Sequence, residues 1–166
     1  MKYIIIISIL FKTFTSFACD CKSKTVKEEY NNSSLIIKGT VVKIELKYHV
    51  LSKLEIDSLE RITESKIFND TINFYEYTFH LESSIKSNNE YETIIVRSGA
   101  KKSNCDIHFT ENTTYLLYAS NGSNYEEYLY PKSSPFPAFY SSICTRTTEN
   151  WKQEMKMLKK IKKVSL

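Results

Sequence analysis

Four cysteines, Cys19, Cys21, Cys105 and Cys144, are the residues of this sequence whose type and spacing can do chemistry, and two of them form the triplet Cys19-Asp20-Cys21. The triplet follows an apolar leader, Ile4-Ile5-Ile6-Ile7-Ser8-Ile9-Leu10-Phe11, with Lys2 before it and small residues at Ser16 and Ala18. That is the pattern of a signal peptide cut after Ala18, which would leave Cys19 at a free N-terminus. With both thiols oxidised, a Cys-x-Cys in that position holds a backbone amine and carbonyl rigidly at the surface. An even number of cysteines in an exported chain favours two disulfides, with three possible pairings. A Cys19–Cys21 ring would be tiny and strained, so the N-terminal pair is expected to join the two distant cysteines. Each such bridge closes a loop of roughly 85 to 125 residues and is worth about 4 kcal/mol of chain entropy. Zinc binding is the competing reading, but structural zinc sites usually present two close pairs of ligands and this chain has one.

Other residues that carry chemistry form no recognisable constellation. His49, His80 and His108 are scattered, no HExxH, Ser-His-Asp or phosphate-loop pattern is present, and a total of 3 glycines leaves little to build a phosphate loop. No enzymatic activity, no cofactor and no metal of its own are expected. The net charge of +4 falls by two when Lys2 and Lys12 leave with the leader. Much of the remaining positive charge sits in a tail carrying Lys152, Lys156, Lys159, Lys160, Lys162 and Lys163, so residues 19–148 are slightly acidic. That balance argues against a nucleic-acid groove on the main body. The 12 tyrosines suit stacking on a nucleic acid or glycan, yet alternating tyrosines that fill a β core account for them better.

The elements that must position the cysteines read as mainly β. Residues 22–30 suit one or two helical turns before the turn cluster Asn31-Asn32-Ser33-Ser34. Residues 35–46 are a long β-branched run interrupted by Gly39, the mark of a bulge or sharp bend where a small barrel turns a corner. Residues 48–70 fit neither period well and are expected to form a long connection with some helix. Residues 72–82 alternate, with Tyr75, Tyr77, Phe79 and Leu81 on one face and Glu76, Thr78, His80 and Glu82 on the polar one. Further strands are expected over 91–98 and 113–119, and an irregular excursion over the proline-bearing residues 130–137. From Thr148, a predicted cap, Trp151, Met155 and Leu158 line one face of a helix whose lysines point to solvent. Strand number and spacing suit a five-stranded OB-type barrel better than a sandwich. The expected organisation is a signal peptide over 1–18, a barrel over 19–148 and a basic C-terminal helix over 149–166.

The chain resembles the netrin-like family, specifically the N-terminal domain of tissue inhibitors of metalloproteinases in its short bacterial form. The resemblance rests on Cys19-Asp20-Cys21 after the leader, Leu35-Ile36-Ile37-Lys38-Gly39-Thr40-Val41-Val42, and Cys105 between two strands. Thr114-Tyr115-Leu116-Leu117-Tyr118-Ala119 and Ile143-Cys144-Thr145-Arg146-Thr147 complete it, so that it spans residues 19–148. It implies an OB-type barrel with Cys19 bridged to Cys105 and Cys21 to Cys144. It further implies that the Cys19 amine and carbonyl chelate the catalytic zinc of a metalloprotease and displace the water that zinc would activate. An α-amino group titrates near 7.7–8.0, so the neutral amine that chelation needs is available. Asp20 stands where the vertebrate inhibitors carry a small hydroxylated residue that enters the protease's specificity pocket. An unpaired carboxylate is costly to bury in an apolar pocket, which points away from matrix-protease targets. The third disulfide of the inhibitory domain and the six-cysteine C-terminal domain are missing.

These readings lead to an exported, monomeric protein, secreted or periplasmic, whose partner is a zinc metalloprotease or another extracellular protein. The alternative is a non-inhibitory envelope or extracellular module for a glycan, lipid or protein partner. In that case Cys19 is lipidated and anchors the chain, or the basic tail touches anionic lipid. A lipobox prefers Leu where this chain has Ser16.

Overall fold

The computed structural model describes residues 21–64, 66–67, 69–87, 91–100, 105–121 and 138–164, with the backbone alone at 63 and 162–164. The β-branched run forms β1 (Leu35–Val50), which pairs antiparallel along its length with β2 (Thr71–Lys86). Register shifts fall between Ile36 and Ile37, Lys38 and Gly39, and Val41 and Lys43, so β1 bends repeatedly around the glycine. A Cβ at Gly39 would lie 2.9 Å from the His80 carbonyl oxygen and 3.3 Å from Ile37 Cδ1, which is why a residue without one sits at the bend. β3 (Thr93–Gly99), β4 (Thr114–Ala119) and β5 (Ala138–Tyr140) complete a five-stranded sheet in the order β4-β1-β2-β3-β5. β5 joins β3 in parallel and the other neighbours are antiparallel. Ser120 and Tyr140 exchange backbone hydrogen bonds of 3.0 and 2.9 Å, drawing the two edges of the sheet together at one end. The result is a curled half-barrel.

The concave face holds the main core, with Leu35, Ile37, Val41, Tyr77, Phe79 and Ile94 among its buried residues. Phe109 sits at its centre, edge-to-face with Tyr77 (4.9 Å), Tyr115 (5.0 Å) and Phe79 (5.1 Å). Tyrosines thus fill the core, as the alternation in β2 leads one to expect. A second cluster lies on the convex face. There Ile36, Leu116 and Tyr118 receive Leu158, Trp151 and Met155 of the C-terminal helix α3 (Trp151–Val164), with Val26 and Tyr30 of α1 (Val26–Asn32) alongside. The connection after β1 contains α2 (Lys53–Thr63), opened by a capping box in which Ser52 and Glu55 bond each other's backbone N–H.

Two expectations fail for reasons of register. Glu76, assigned to the polar face of β2, is 5% exposed, because it stands directly opposite Arg97 of β3. Arg97 Nε donates to Glu76 Oε1 over 2.8 Å, and the buried guanidinium carries Nη2 within 2.7 Å of the same oxygen. Thr148 does not begin a helix. Its N–H and C=O pair with Leu116 on the open edge of β4 (3.0 and 2.9 Å), and α3 starts three residues later at Trp151. Strand bounds also extend past those expected for β1 and β2, since antiparallel pairing continues wherever both chains remain extended. The predicted leader over 1–18 and the excursion over 130–137 lie outside the described residues. Among the described residues no helix is long and apolar enough to cross a membrane.

Candidate functional site: the stapled N-terminal segment

Cys21, at the start of the described chain, is bonded to Cys144 across 123 residues, with their Cα atoms 5.0 Å apart. This is the pairing that the resemblance implies. Cys105 is also disulfide-bonded. Its implied partner Cys19, and Asp20 beside it, lie outside the described residues, so the geometry of the expected chelating amine and carbonyl is not described. The disulfide points to an oxidising compartment.

Residues 22–24 run from Cys21 towards α1 along one side of a polar cleft of about 430 Å³. Residues 143–148 also line it, with Asn150 just before α3 and Gln153 in its first turn. Hydroxyl contacts hold residues 141–148 against β4. Ser141 Oγ donates to the Tyr118 carbonyl (3.0 Å), and Thr147 Oγ1 accepts from the Tyr118 N–H (3.0 Å). Ser142 Oγ accepts from the Cys144 N–H (3.2 Å), which sets the turn that presents the sulfur.

Arg146 ties this site together. Its Nε and Nη2 donate to both oxygens of Glu154 in α3 (2.5 and 2.8 Å), and Nη1 donates to the Lys24 carbonyl (3.0 Å). Glu154 also accepts from the Tyr118 hydroxyl (2.9 Å) and is buried. The bidentate carboxylate holds the Arg146 pKa above its usual value, burial opposing it. Burial, and then the Glu154 carboxylate, push the Tyr118 phenol well above its usual range, so it remains a donor. Lys24 reaches back in turn, its Nζ 3.1 Å from Glu29 Oε2 in an ion contact. The N-terminal segment is therefore fixed by one covalent bond at Cys21 and by polar contacts at Lys24.

The histidines singled out by type fall in different surroundings. His49 Nε2 lies 3.0 Å from Glu55, His80 is exposed, and His108 Nδ1 lies 3.4 Å from the Tyr77 hydroxyl. Among the described residues no three His, Cys, Asp or Glu side chains converge as metal ligands. The reading from sequence did not single out Arg146, Glu154, Tyr118 or Lys24 for the site. A signal existed for one of them: Glu154 lies on the same helical face as Trp151, Met155 and Leu158, and an acidic residue on a docking stripe calls for a buried partner. No family model matches this chain, and no curated protein matches it.

Proposed function

We propose that this protein is an exported, netrin-like module of OB type that binds another protein through its stapled N-terminal end, blocking a zinc metalloprotease with the Cys19 amine and carbonyl. The observation that carries this reading is the Cys21–Cys144 disulfide. Together with the Arg146 bond to the Lys24 carbonyl it immobilises the backbone next to the triplet, and a chelating amine and carbonyl must be rigid to avoid losing their binding energy to ordering. Support for the OB assignment comes from the parallel β3–β5 pairing and from the Ser120–Tyr140 bridge, which bring the two edges of the curled five-stranded sheet together at one end. In this reading the zinc belongs to the protease, and the protein contributes no metal and no catalytic residue. Asp20 selects a protease whose specificity pocket offers a cation or polar partner.

The test is inhibition of a panel of zinc metalloproteases by protein whose N-terminus mass spectrometry shows to begin at a free Cys19. Inhibition is expected, and one alanine added before Cys19 is expected to abolish it while the fold stays intact. Asp20→Thr should improve binding to proteases with apolar pockets. Inhibition unchanged by the added alanine would overturn the chelation mechanism. A lipidated Cys19 would block the amine and favour the anchored envelope module. The exposed lysines of α3, Lys152, Lys156, Lys159 and Lys160, suit that second reading because they present positive charge to an anionic surface.

A further inference from the structure

Among the described residues, the outer half of β1 has one partner strand where its inner half has two. β4 pairs with β1 from Leu35 to Thr40, and the last bonds on that side join Val41 to Thr113 (3.1 Å) and Asn112 (2.8 Å). Beyond Val41, β1 continues to Val50 against β2 alone, and among the described residues no strand lies along its other edge. The side chains of this stretch alternate. Leu46 is 60% exposed, Tyr48 76% and Val50 56%, with Ile44 partly buried on the same face, while Lys43, Glu45, Lys47 and His49 occupy the opposite one. Val42 is the extra residue of the register shift between Val41 and Lys43. A long, open edge with an apolar face is a template for another strand, and natural sheets usually blunt such edges with lysine.

On the charged face Glu45 lies between Lys43 (3.0 Å) and Lys47 (3.3 Å) of its own strand, and one partner continues that alternation of sign across the edge. We propose that residues 42–50 pair antiparallel with the same residues of a second copy of this chain, joining two curled sheets edge to edge across a two-fold axis at Leu46. In an antiparallel pair, directly opposite residues point to the same face. Registers that oppose odd- and even-numbered residues would set the charged face against the apolar one. Among the rest, a two-fold at Glu45 sets that glutamate against itself and Lys43 against Lys47, and a two-fold at Lys47 sets like charges against each other at the axis. A two-fold at Ile44 pairs Glu45 with Lys43 but is cut short, because the backbone of Val41 is already bonded to Thr113 and Asn112. Centring on Leu46 places each Glu45 opposite the partner's Lys47, twice over. The same register brings Leu46 against Leu46 and Ile44 against Tyr48 on the apolar face, and Lys43 against His49 on the charged one. The contact is isologous, as a closed dimer requires. It uses no residue of the Cys21–Cys144 site and replaces the monomer expected from sequence.

The test is sedimentation of the full-length, oxidised chain over a wide concentration range, with near-ultraviolet circular dichroism to establish the fold of each variant. The native chain should show a concentration-dependent dimer. Glu45→Lys alone, or Lys47→Glu alone, sets like charges opposite each other at two places and should weaken the dimer by about tenfold. An equimolar mixture of the two variants should restore it, because the introduced lysine then meets the introduced glutamate and native Glu45 meets native Lys47. A native chain that stays monomeric at millimolar concentration, leaving the edge to a foreign strand, would overturn the proposal. So would single reversals without effect, or a mixture that associates no better than either variant alone.

Discussion

Arg146 acts at the crossing of three segments: the stretch leading from Cys21, the strand β4 through Tyr118, and the helix α3 through Glu154. Its removal would leave the Glu154 carboxylate buried with the Tyr118 hydroxyl and no cation. Arg146→Met is therefore expected to cost about 2–3 kcal/mol in urea denaturation, the scale of a lost charge-assisted bond to a buried acid. Glu154→Gln, which keeps an acceptor for Tyr118, should cost less. Gly39 is a residue of a different kind, conspicuous for what it lacks. Gly39→Ala places a methyl group 2.9 Å from a backbone carbonyl that cannot move without breaking the β1–β2 pairing. A loss of about 1–3 kcal/mol is expected, seen as a lower denaturation midpoint with an unchanged slope.

At the scale of elements, α3 is held by what it covers. Leu158 is 1% exposed against Ile36, Leu116 and Tyr118, whereas Trp151 is half-buried at the rim beneath Lys38, whose Nζ lies 3.9 Å from its ring. Leu158→Ala should cost about 2–5 kcal/mol. Truncation before Trp151 should expose the convex face of the sheet and cause self-association measurable by light scattering. The helix α2 answers to pH instead. Ser52 Oγ (2.6 Å) and the Ser52 N–H (2.7 Å) both donate to Glu55, and with His49 they hold its carboxyl at about 2, below the ordinary 4.5. A depressed carboxyl stabilises the fold above its unfolded value and loses that contribution as pH falls towards the folded one. Glu55→Gln should accordingly flatten the part of the acid-denaturation curve between pH 4.5 and about 2.

For the molecule as a whole, the half-barrel relies on contacts between distant parts of the chain. The Cys21–Cys144 bridge spans 123 residues, and its loss acts mainly by freeing the unfolded chain. Replacing both cysteines by serine should lower stability by about 2–5 kcal/mol. In the same variant, residues 22–24 should become sensitive to protease, because the Arg146 bond to Lys24 then remains without its covalent neighbour. If inhibitory function rests on a rigid N-terminus, that variant should lose it while retaining the circular dichroism of the β-sheet.

The pattern of Tyr77, Phe79 and their neighbours, the glycine in the middle of a β-branched run, and the Trp151-Met155-Leu158 stripe are local, and local periodicity is legible from sequence because it follows from backbone geometry. The Ser52-to-Glu55 box was equally local, a Ser-x-x-Glu written in residues that periodicity left ambiguous. What tertiary structure decided depends on register between segments far apart in the chain. Register set Glu76 opposite Arg97 and so buried it, gave the backbone of Thr148 to β4 in place of a helix cap, and began β4 at Thr114 opposite Thr40 while β1 ran on to Val50. The cysteines divide in the same way. Their number and the export expected from sequence called for disulfides, but Cys21 meets Cys144 because residues 141–148 are bonded to β4 and Lys24 to Arg146, a proximity created by packing and absent from any window of the sequence.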